Sequence, residues 1–168
     1  VSNADIGEPN TLLDALVAAG IPSDGAVMIV GNGFHEARGR SDDEMVAVFQ
    51  AYERAGLIIL FTEESALSVD DLLETAWNTY HAGFKFVHEK SGQRLRPAQP
   101  GPPNRYGQPL RASWQECASR AGYIRIHDCC SRSRRVYPFK PASGHNPAIS
   151  VNHFIVPARL AASLGCSR

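Results

Sequence analysis

Hydrophobic positions along the chain form two kinds of pattern, and each kind predicts a different element. Two short, continuous apolar runs, at residues 26–30 and 57–61, are typical of strands that are buried on both faces. Apolar residues at helical spacing follow Asn10, Ser41 and Ser68, each of which is a residue type that caps helix N-termini. The first half of the chain therefore predicts helices that alternate with buried strands.

The last third of the chain adds one more helix and two strands. Ser113 and Glu116 have the spacing of a capping box, and the helix that they start is expected to end near Gly122. Residues 123–127 and 149–156 predict two strands, close enough in the chain to pair antiparallel at the edge of a sheet. We therefore expect an α/β fold with a mostly parallel sheet, helices on both faces and an antiparallel C-terminal strand pair.

One segment interrupts the periodic pattern. Residues 94–110 hold five prolines and three side-chain amides, without regularly spaced apolar residues. Structureless segments of that length inside a domain are usually functional or mobile. We predict a loop or flap at 94–110 within a single α/β domain that covers residues 1–168.

Composition narrows the classes of function. The 168 residues are 43% hydrophobic and 20% charged, which is ordinary for a globular domain. Seventeen basic and seventeen acidic residues balance, which argues against nucleic acid or an anionic membrane as a partner. No apolar run is long enough to span a bilayer. None of the four cysteines forms a C-x-x-C pair, so we expect reduced thiols in a cytoplasmic protein.

Candidate chemistry collects after the first apolar run, because ligands of parallel sheets bind at the carboxyl ends of the strands. Gly31 and Gly33 leave the backbone open to close approach by a ligand, and Asn32 offers both a donor and an acceptor. Phe34 has a ring that can stack on a flat group. The alternative is a tight turn in which glycine and asparagine supply positive φ angles.

The next two residues are the candidates for acid–base chemistry. His35 provides an imidazole base near neutral pH, and Glu36 provides a carboxylate beside it. The six histidines include no H-x-x-x-H pair on a helix, so no metal site is predicted. The chain also lacks a G-x-S-x-G nucleophile elbow and a Walker phosphate loop.

A second polar and aromatic cluster lies in the helix that Ser68 is expected to start. Trp77 and Tyr80 have helical spacing, which is typical of core packing. Asn78 and His81 share another face of that helix. We expect that face to line a pocket beneath the 94–110 segment.

The order of these pieces resembles the later half of a class I S-adenosylmethionine-dependent methyltransferase. Residues 27–33 are similar to the fourth strand of that family and the loop that faces the methyl group, and residues 57–63 are similar to its fifth strand. Residues 113–126, with Ala-Gly-Tyr at 121–123, resemble the helix and the lead into the sixth strand, and residues 150–156 resemble the seventh. The resemblance implies a Rossmann-like, partial methyltransferase fold.

The resemblance also assigns roles to residues. Asp5 and Ile6 resemble the end of the third strand, with Asp5 in the acidic position near the adenine. The cofactor implied is S-adenosylmethionine, and the residues that would contact it are Asp5, Ile6, Gly31, Asn32, Gly33 and Phe34. His35 would act as general base with Glu36 orienting it. The acceptor, a small molecule, would be bound by Trp77, Asn78, Tyr80 and His81.

The chain departs from the family in the part that grips most of the cofactor. The glycine-rich first loop and the acid that holds the ribose have no counterpart in this sequence. We therefore expect a C-terminal part of a larger methyltransferase, inactive alone, whose remainder comes from a missing N-terminal half or from a partner chain. A homodimer stays open.

Two other interpretations compete with this one. The chain is also compatible with a non-catalytic α/β module of a larger biosynthetic protein, in which residues 31–36 pack against other segments. The third interpretation is a nucleotide-binding or hydrolytic enzyme that uses His35 and Glu63. It lacks a recognisable phosphate cradle or nucleophile.

Overall fold

The computed structural model describes residues 4–37, 41–66, 70, 73, 83, 86–88, 90–93, 95–101, 103, 107, 111–131 and 150–165. Its helices and strands follow in the order α1 (Pro9–Ala18), β1 (Val27–Gly31), α2 (Asp42–Arg54), β2 (Ile58–Glu64), α3 (Trp114–Arg120), β3 (Tyr123–Ser131), β4 (Ser150–Pro157) and α4 (Ala158–Ala161). A short 3-10 turn, Phe34–Glu36, follows β1.

The described strands form one sheet in the order β1-β2-β4-β3. β1 pairs with β2 in parallel, and β4 pairs antiparallel with both β2 and β3. β1, β2 and β3 therefore run in the same direction, and β4 alone is reversed. The predicted α/β class and the antiparallel C-terminal strand pair are confirmed.

β2 is longer than its apolar run predicted. The strand continues past Phe61 through Thr62, Glu63 and Glu64, and Gly31 at the end of β1 pairs with Thr62. The two acidic residues at the end of β2 therefore lie beside the loop that leaves β1.

The core lies between one face of the sheet and the helices α2 and α3. Phe49 and Tyr52 of α2, Phe61 of β2 and Trp114 and Cys117 of α3 are all buried there. Burying one large apolar side chain contributes about 1.5–3 kcal/mol, so this layer dominates the stability of the described fold. Burial raises the pKa of the free Cys117 thiol to about 11, which makes it unreactive near neutral pH.

The opposite face of β1 differs from the prediction. Ile29 is 77% exposed and Val27 is exposed as well, so the expectation that the first run is buried on both faces is wrong. In the second run the neighbours Ile58 and Ile59, which point to opposite faces, are both buried, and Leu60 is exposed. The physical reason is that α2 and α3 pack on the other face of the sheet. Most of the helix predicted at residues 68–80 lies outside the described residues, and a second helical layer stays a prediction.

The N-terminal segment also differs in detail. Residues 4–8 form a turn, in which the amide of Glu8 donates to the carbonyl of Asp5 at 3.0 Å, where the end of a strand was expected. α1 begins at Pro9 with Glu8 as its N-cap, so the predicted cap at Asn10 is wrong. Proline suits the first helical position because it has no amide hydrogen to leave unpaired. Among the described residues, no helix has both the length and the apolar character that crossing a membrane requires.

The beginning of the 94–110 segment is anchored to the rest of the domain. The side chain of Arg96 is only 2% exposed and forms an ion pair with Asp42 at the start of α2. Its guanidinium also donates to the carbonyls of Ala112 at 3.0 Å and Ser41 at 3.1 Å. Most of the second half of the predicted 94–110 loop or flap lies outside the described residues, and the role of the flap stays a prediction.

Asp42 is the carboxylate on which this anchor depends. Burial raises the pKa of Asp42, but the Ala112 amide and Arg96 outweigh that effect and hold the pKa below its ordinary value. The predicted capping boxes of α2 and α3 are both present, and that of α2 is formed by Ser41 and Glu44. The contacts of Asp42 with Arg96 and Ala112 are therefore additional to the cap.

We predict that Asp42→Asn lowers the free energy of unfolding at neutral pH by about 2 kcal/mol, because buried Arg96 loses its charged acceptor. Because folding lowers the pKa of Asp42, its ionised carboxylate stabilises the folded state at any pH above the unfolded pKa of about 3.9. That stabilisation is lost as the pH falls through the lower pKa of the folded state. The difference in free energy of unfolding between wild type and variant should therefore become smaller in acid, as measured by urea unfolding. Asp43→Asn, at an exposed pair with Arg120, is the matched control and should change little. An equal loss in both variants would contradict the assignment.

Candidate functional site

The loop after β1 turns sharply through a left-handed residue. Asn32 has a φ of 51° and donates its amide to the carbonyl of Thr62 at 2.8 Å. A Cβ at Gly33 would lie 2.7 Å from Cγ1 of Val30, which explains glycine there, whereas a Cβ at Gly31 would meet open space. The alternative of a tight turn is therefore correct for Asn32, whereas neither Gly31 nor Gly33 has a positive φ angle. The turn leaves Gly31 and Asn32 exposed at its surface.

The side chain of Phe34 points into the core. Its ring lies 4.8 Å from the ring of Phe49 and 5.2 Å from that of Phe61, measured between centroids. The expectation that this ring stacks on a bound ligand is therefore wrong. Burial in an aromatic cluster stabilises the ring more than exposure beside a polar turn.

His35 and Glu63 form the centre of the site. His35 is 6% exposed, and its Nδ1 lies 2.7 Å from Oε2 of Glu63, which is fully buried at 0% exposure. The other carboxylate oxygen of Glu63 accepts the backbone amide of Phe34 at 2.5 Å. An ionised carboxylate can only accept, so Nδ1 of His35 carries the hydrogen and Nε2 is the nitrogen that remains for chemistry.

The electrostatic surroundings favour a basic imidazole. Burial lowers the pKa of His35, but the hydrogen bond and the charge of Glu63 outweigh it, with smaller contributions from Glu64 and Glu36. The pKa of His35 therefore lies above its ordinary value. A protonated imidazole near three carboxylates is stabilised by their charge.

Glu36 occupies a different position from the one predicted. Its Oε1 lies 3.6 Å from Nε2 of His35 and accepts a hydrogen bond from Nε2 of Gln93 at 2.5 Å. The residue that orients His35 is therefore Glu63, and the expected orienting role of Glu36 is wrong. The sequence had paired His35 with Glu63 only in the third interpretation.

Two further residues that the sequence did not predict join the site. Nε2 of His88 lies 3.0 Å from Oε2 of Glu64, and the rings of His35 and His88 are 5.6 Å apart between centroids. One ligand atom from each of His35, Glu64 and His88 lies within 4.8 Å of the others. Burial raises the pKa of Glu64, although the charges of His88 and His35 oppose that shift. The structure thus groups three side chains that could hold a metal ion, where the sequence predicted no metal site.

The predicted cofactor residues of the N-terminal turn lie beside the loop after β1. The carbonyl of Ile6 accepts the hydroxyl of Tyr52 at 2.7 Å, and the Cδ1 of Ile6 lies 3.6 Å from the place of a Cβ at Gly33. Oδ1 of Asp5 accepts the amide of Gly7 at 2.7 Å, which holds the turn. The structure therefore brings Asp5, Ile6 and Gly33 into one neighbourhood.

The residues predicted to bind the acceptor lie outside the described part of the chain. They are Trp77, Asn78, Tyr80 and His81, and their roles stay predictions.

A cavity of about 450 Å³ lies elsewhere, against α3, β3 and β4, with Trp114, Tyr123 and His153 among its lining residues. It includes none of the His35, Glu63 and Glu64 side chains, so it is separate from the site described above.

Comparisons with known proteins add little to this picture. No protein-family model matches the chain. No curated protein matches it either. A solved structure concerned with the conversion of a disulfide bond into a thioacetal group during echinomycin biosynthesis is 15% identical, over 95% of this chain and 68% of that chain, with a TM-score of 0.37. A likeness this distant carries no argument about function.

We predict that Glu63→Gln reverses the tautomer of His35. The amide oxygen of the variant can still accept from Phe34, but its NH₂ group then faces Nδ1 and donates to it. The hydrogen of the neutral imidazole moves to Nε2 as a result. Nitrogen-15 NMR of the imidazole at alkaline pH reports the tautomer directly. Glu36→Gln is the matched control and should leave the Nδ1–H form in place. The same tautomer in wild type and Glu63→Gln would refute the orienting role of Glu63.

Proposed function

We propose that the chain takes part in S-adenosylmethionine-dependent methyl transfer to a small-molecule acceptor, with His35 as general base. The observation that carries the proposal is the bond between Nδ1 of His35 and the buried carboxylate of Glu63, at the carboxyl ends of β1 and β2. A base needs a fixed ring and a fixed tautomer, and Glu63 supplies both. The methyl-transfer chemistry itself rests on the family resemblance of the sequence.

The chemical demands of methyl transfer match what this site can supply. The acceptor atom must be aligned with the methyl group, and it must lose a proton during or before attack if it begins protonated. Nε2 of His35 takes that proton, and the charge on Glu63 stabilises the imidazolium that forms. Glu36, 3.6 Å from Nε2, adds a second negative charge that favours the same product.

The cofactor would lie along the loop after β1 and the N-terminal turn. Gly31 and Asn32 are exposed there, Ile6 lies beside Gly33, and Asp5 is adjacent to Ile6. We propose that Asp5 binds the adenine amine, as the resemblance implies. Residues 31–33 then border the reactive end of the cofactor, through the backbone.

The proposal includes a further source of cofactor contacts. In the described part of the chain, β1 pairs with β2 alone, and its Val27 and Ile29 side chains are exposed. The free N–H and C=O groups of a strand edge can pair with a further strand, and exposed apolar side chains on the face of that strand can be covered by the same added segment. We propose that an N-terminal half or a partner chain adds strands at β1 and completes the cofactor site, in a cytoplasmic protein.

One observation favours the competing non-catalytic module. That alternative expects residues 31–36 to pack against other segments, and Phe34 and His35 are indeed buried. Gly31 and Asn32 remain exposed. Cofactor binding separates the two proposals, because a packing module has no reason to bind a nucleoside.

We predict that S-adenosylhomocysteine binds weakly or not at all to this chain and tightly to a longer chain that extends it N-terminally. Isothermal titration calorimetry measures both affinities. In the longer chain, Asp5→Asn should weaken binding about 10-fold or more, because a charged acceptor of the adenine amine is lost. Asp14→Asn, on α1, is the matched control. Absence of binding in both chains would favour the non-catalytic module.

We predict that His35→Ala and Glu63→Gln each lower methyl transfer about 10²–10⁴-fold in the protein that binds the cofactor, which is the range of general base catalysis. The assay follows tritiated methyl groups from S-adenosylmethionine into a panel of low-molecular-mass phenols, enolisable ketones and amines. S-adenosylhomocysteine affinity should stay unchanged, because neither residue contacts the cofactor. Transfer at the wild-type rate in both variants would eliminate His35 as the base.

A further inference from the structure

We propose that His35, Glu64 and His88 bind a divalent transition-metal ion of the zinc class. The proposal goes beyond methyl transfer and does not rest on it, since it needs only the arrangement of these three side chains. They come from three separate segments: the turn after β1, the end of β2, and the helical residues 86–88. Convergence of distant segments on one point is what a metal site built by the fold requires.

The distances suit a metal ion after small side-chain rotations. Metal–nitrogen and metal–oxygen bonds of about 2.0–2.2 Å place the ligand atoms of one ion roughly 3–3.5 Å apart. Nε2 of His88 and Oε2 of Glu64 are already 3.0 Å apart. All three ligand atoms lie within 4.8 Å of one another, so the imidazole of His35 needs to approach by less than about 2 Å.

The donor set selects the class of ion. Two imidazole nitrogens and one carboxylate oxygen suit zinc and its neighbours in the first transition row, whereas calcium and magnesium take oxygen ligands. Three protein ligands leave at least one coordination position for water or for an oxygen of a small molecule. The site therefore has the composition of an open metal centre.

Glu63 already supplies the outer partner that metal-bound histidines use. Such a histidine almost always donates its second ring N–H to a carboxylate or a carbonyl, which fixes the tautomer and raises the basicity of the ligand. His35 donates from Nδ1 to Glu63 at 2.7 Å, which leaves Nε2 as the ring nitrogen available to an ion. The bond to Glu63 fixes the tautomer of His35 before any ion is bound.

Burial and charge both favour a cation at this point. The side chains of His88 and Glu64 are 12% and 19% exposed, and His35 is less exposed still. Glu36, Glu63 and Glu64 all contribute negative charge at His35. In surroundings of reduced polarity, such charges attract a divalent ion more strongly than they do in water.

The metal and the proposed base share Nε2 of His35. A molecule with an ion on that nitrogen does not use it to remove a proton. Metal binding and proton removal by Nε2 therefore exclude each other in any one molecule, and the proposed methyl transfer belongs to the metal-free form. Glu64 and His88 belong only to the metal site.

The test uses cobalt chloride as a spectroscopic probe and zinc chloride as a competitor, with the full chain. Wild type should bind one Co²⁺ with visible d–d absorption that Zn²⁺ abolishes. His88→Ala and Glu64→Gln should each weaken Co²⁺ binding more than about 100-fold, because loss of an outer partner alone costs about 10–100-fold. Glu63→Gln should weaken Co²⁺ binding by that smaller factor of about 10–100. Glu53→Gln on α2 is the control and should keep the wild-type affinity.

A measurement on wild type alone covers the case in which a variant does not fold. X-ray absorption at the zinc edge should show two imidazoles in the first coordination shell of the bound ion. The proposal would be overturned by fewer than two imidazoles in that shell or by the absence of 1:1 binding. It would also be overturned if folded His88→Ala and Glu64→Gln bound Co²⁺ as tightly as wild type does. The three side chains would then form only a hydrogen-bonded ion pair with a neighbouring imidazole. These outcomes leave the cofactor titration and the methyl-transfer assay unaffected, so the two proposals fail separately.

Discussion

The buried carboxylate of Glu63 is the constraint on which the site and its surroundings depend. A carboxylate at 0% exposure is costly unless its oxygens are hydrogen-bonded, and here one oxygen meets the Phe34 amide while the other meets Nδ1 of His35. Both partners lie in the turn that follows β1, so the end of β2 holds that turn in place. Removing the carboxylate would leave a buried amide and a buried imidazole without their acceptor.

The same contact links the site to the core. The Phe34 amide bonds to Glu63, and the Phe34 ring packs between Phe49 and Phe61, so backbone and side chain of one residue serve both regions. Phe61 and Glu63 are two residues apart on β2 and therefore face the same side of the sheet. A change in core packing at Phe61 would thus shift the ring position of His35, through Phe34.

Local signals in the sequence predicted much of the fold. The capping boxes at Ser41 and Ser113 and the parallel pairing of the two apolar runs are present in the structure, because caps and compact apolar runs depend on neighbouring residues. The apolar run alone ended at Phe61, and the continuation to Glu63 came only from the family resemblance, because consecutive polar residues after an apolar run are typical of a loop. In the sheet, Glu63 and Glu64 are in register with Val151 and Ser150 of β4, which are far along the chain.

The site was predicted only in part, for the same reason. His35 was identified from its place after a strand, but its partners are 28 residues away at Glu63 and farther at His88, and no local spacing marks them. Phe34 was misplaced because its polar neighbours suggested exposure, whereas the ring fills a space between two other aromatic rings. A weak signal did exist: two adjacent acids at the end of an apolar strand are unusual in a parallel sheet, whose interior strands are largely apolar.

Glu63 alone does not decide between a base and a metal ligand at His35. Both uses need the Nδ1–H tautomer and a fixed ring, and the bond to Glu63 provides them equally. The difference lies in Glu64 and His88, which a base does not require and a metal centre does. Their 3.0 Å contact holds a carboxylate and an imidazole close to the ring of His35, in a region with little exposure to water. Since an ion pair in that position gains little net stability from its own attraction, a ligand role is the use of these two side chains that best accounts for their placement.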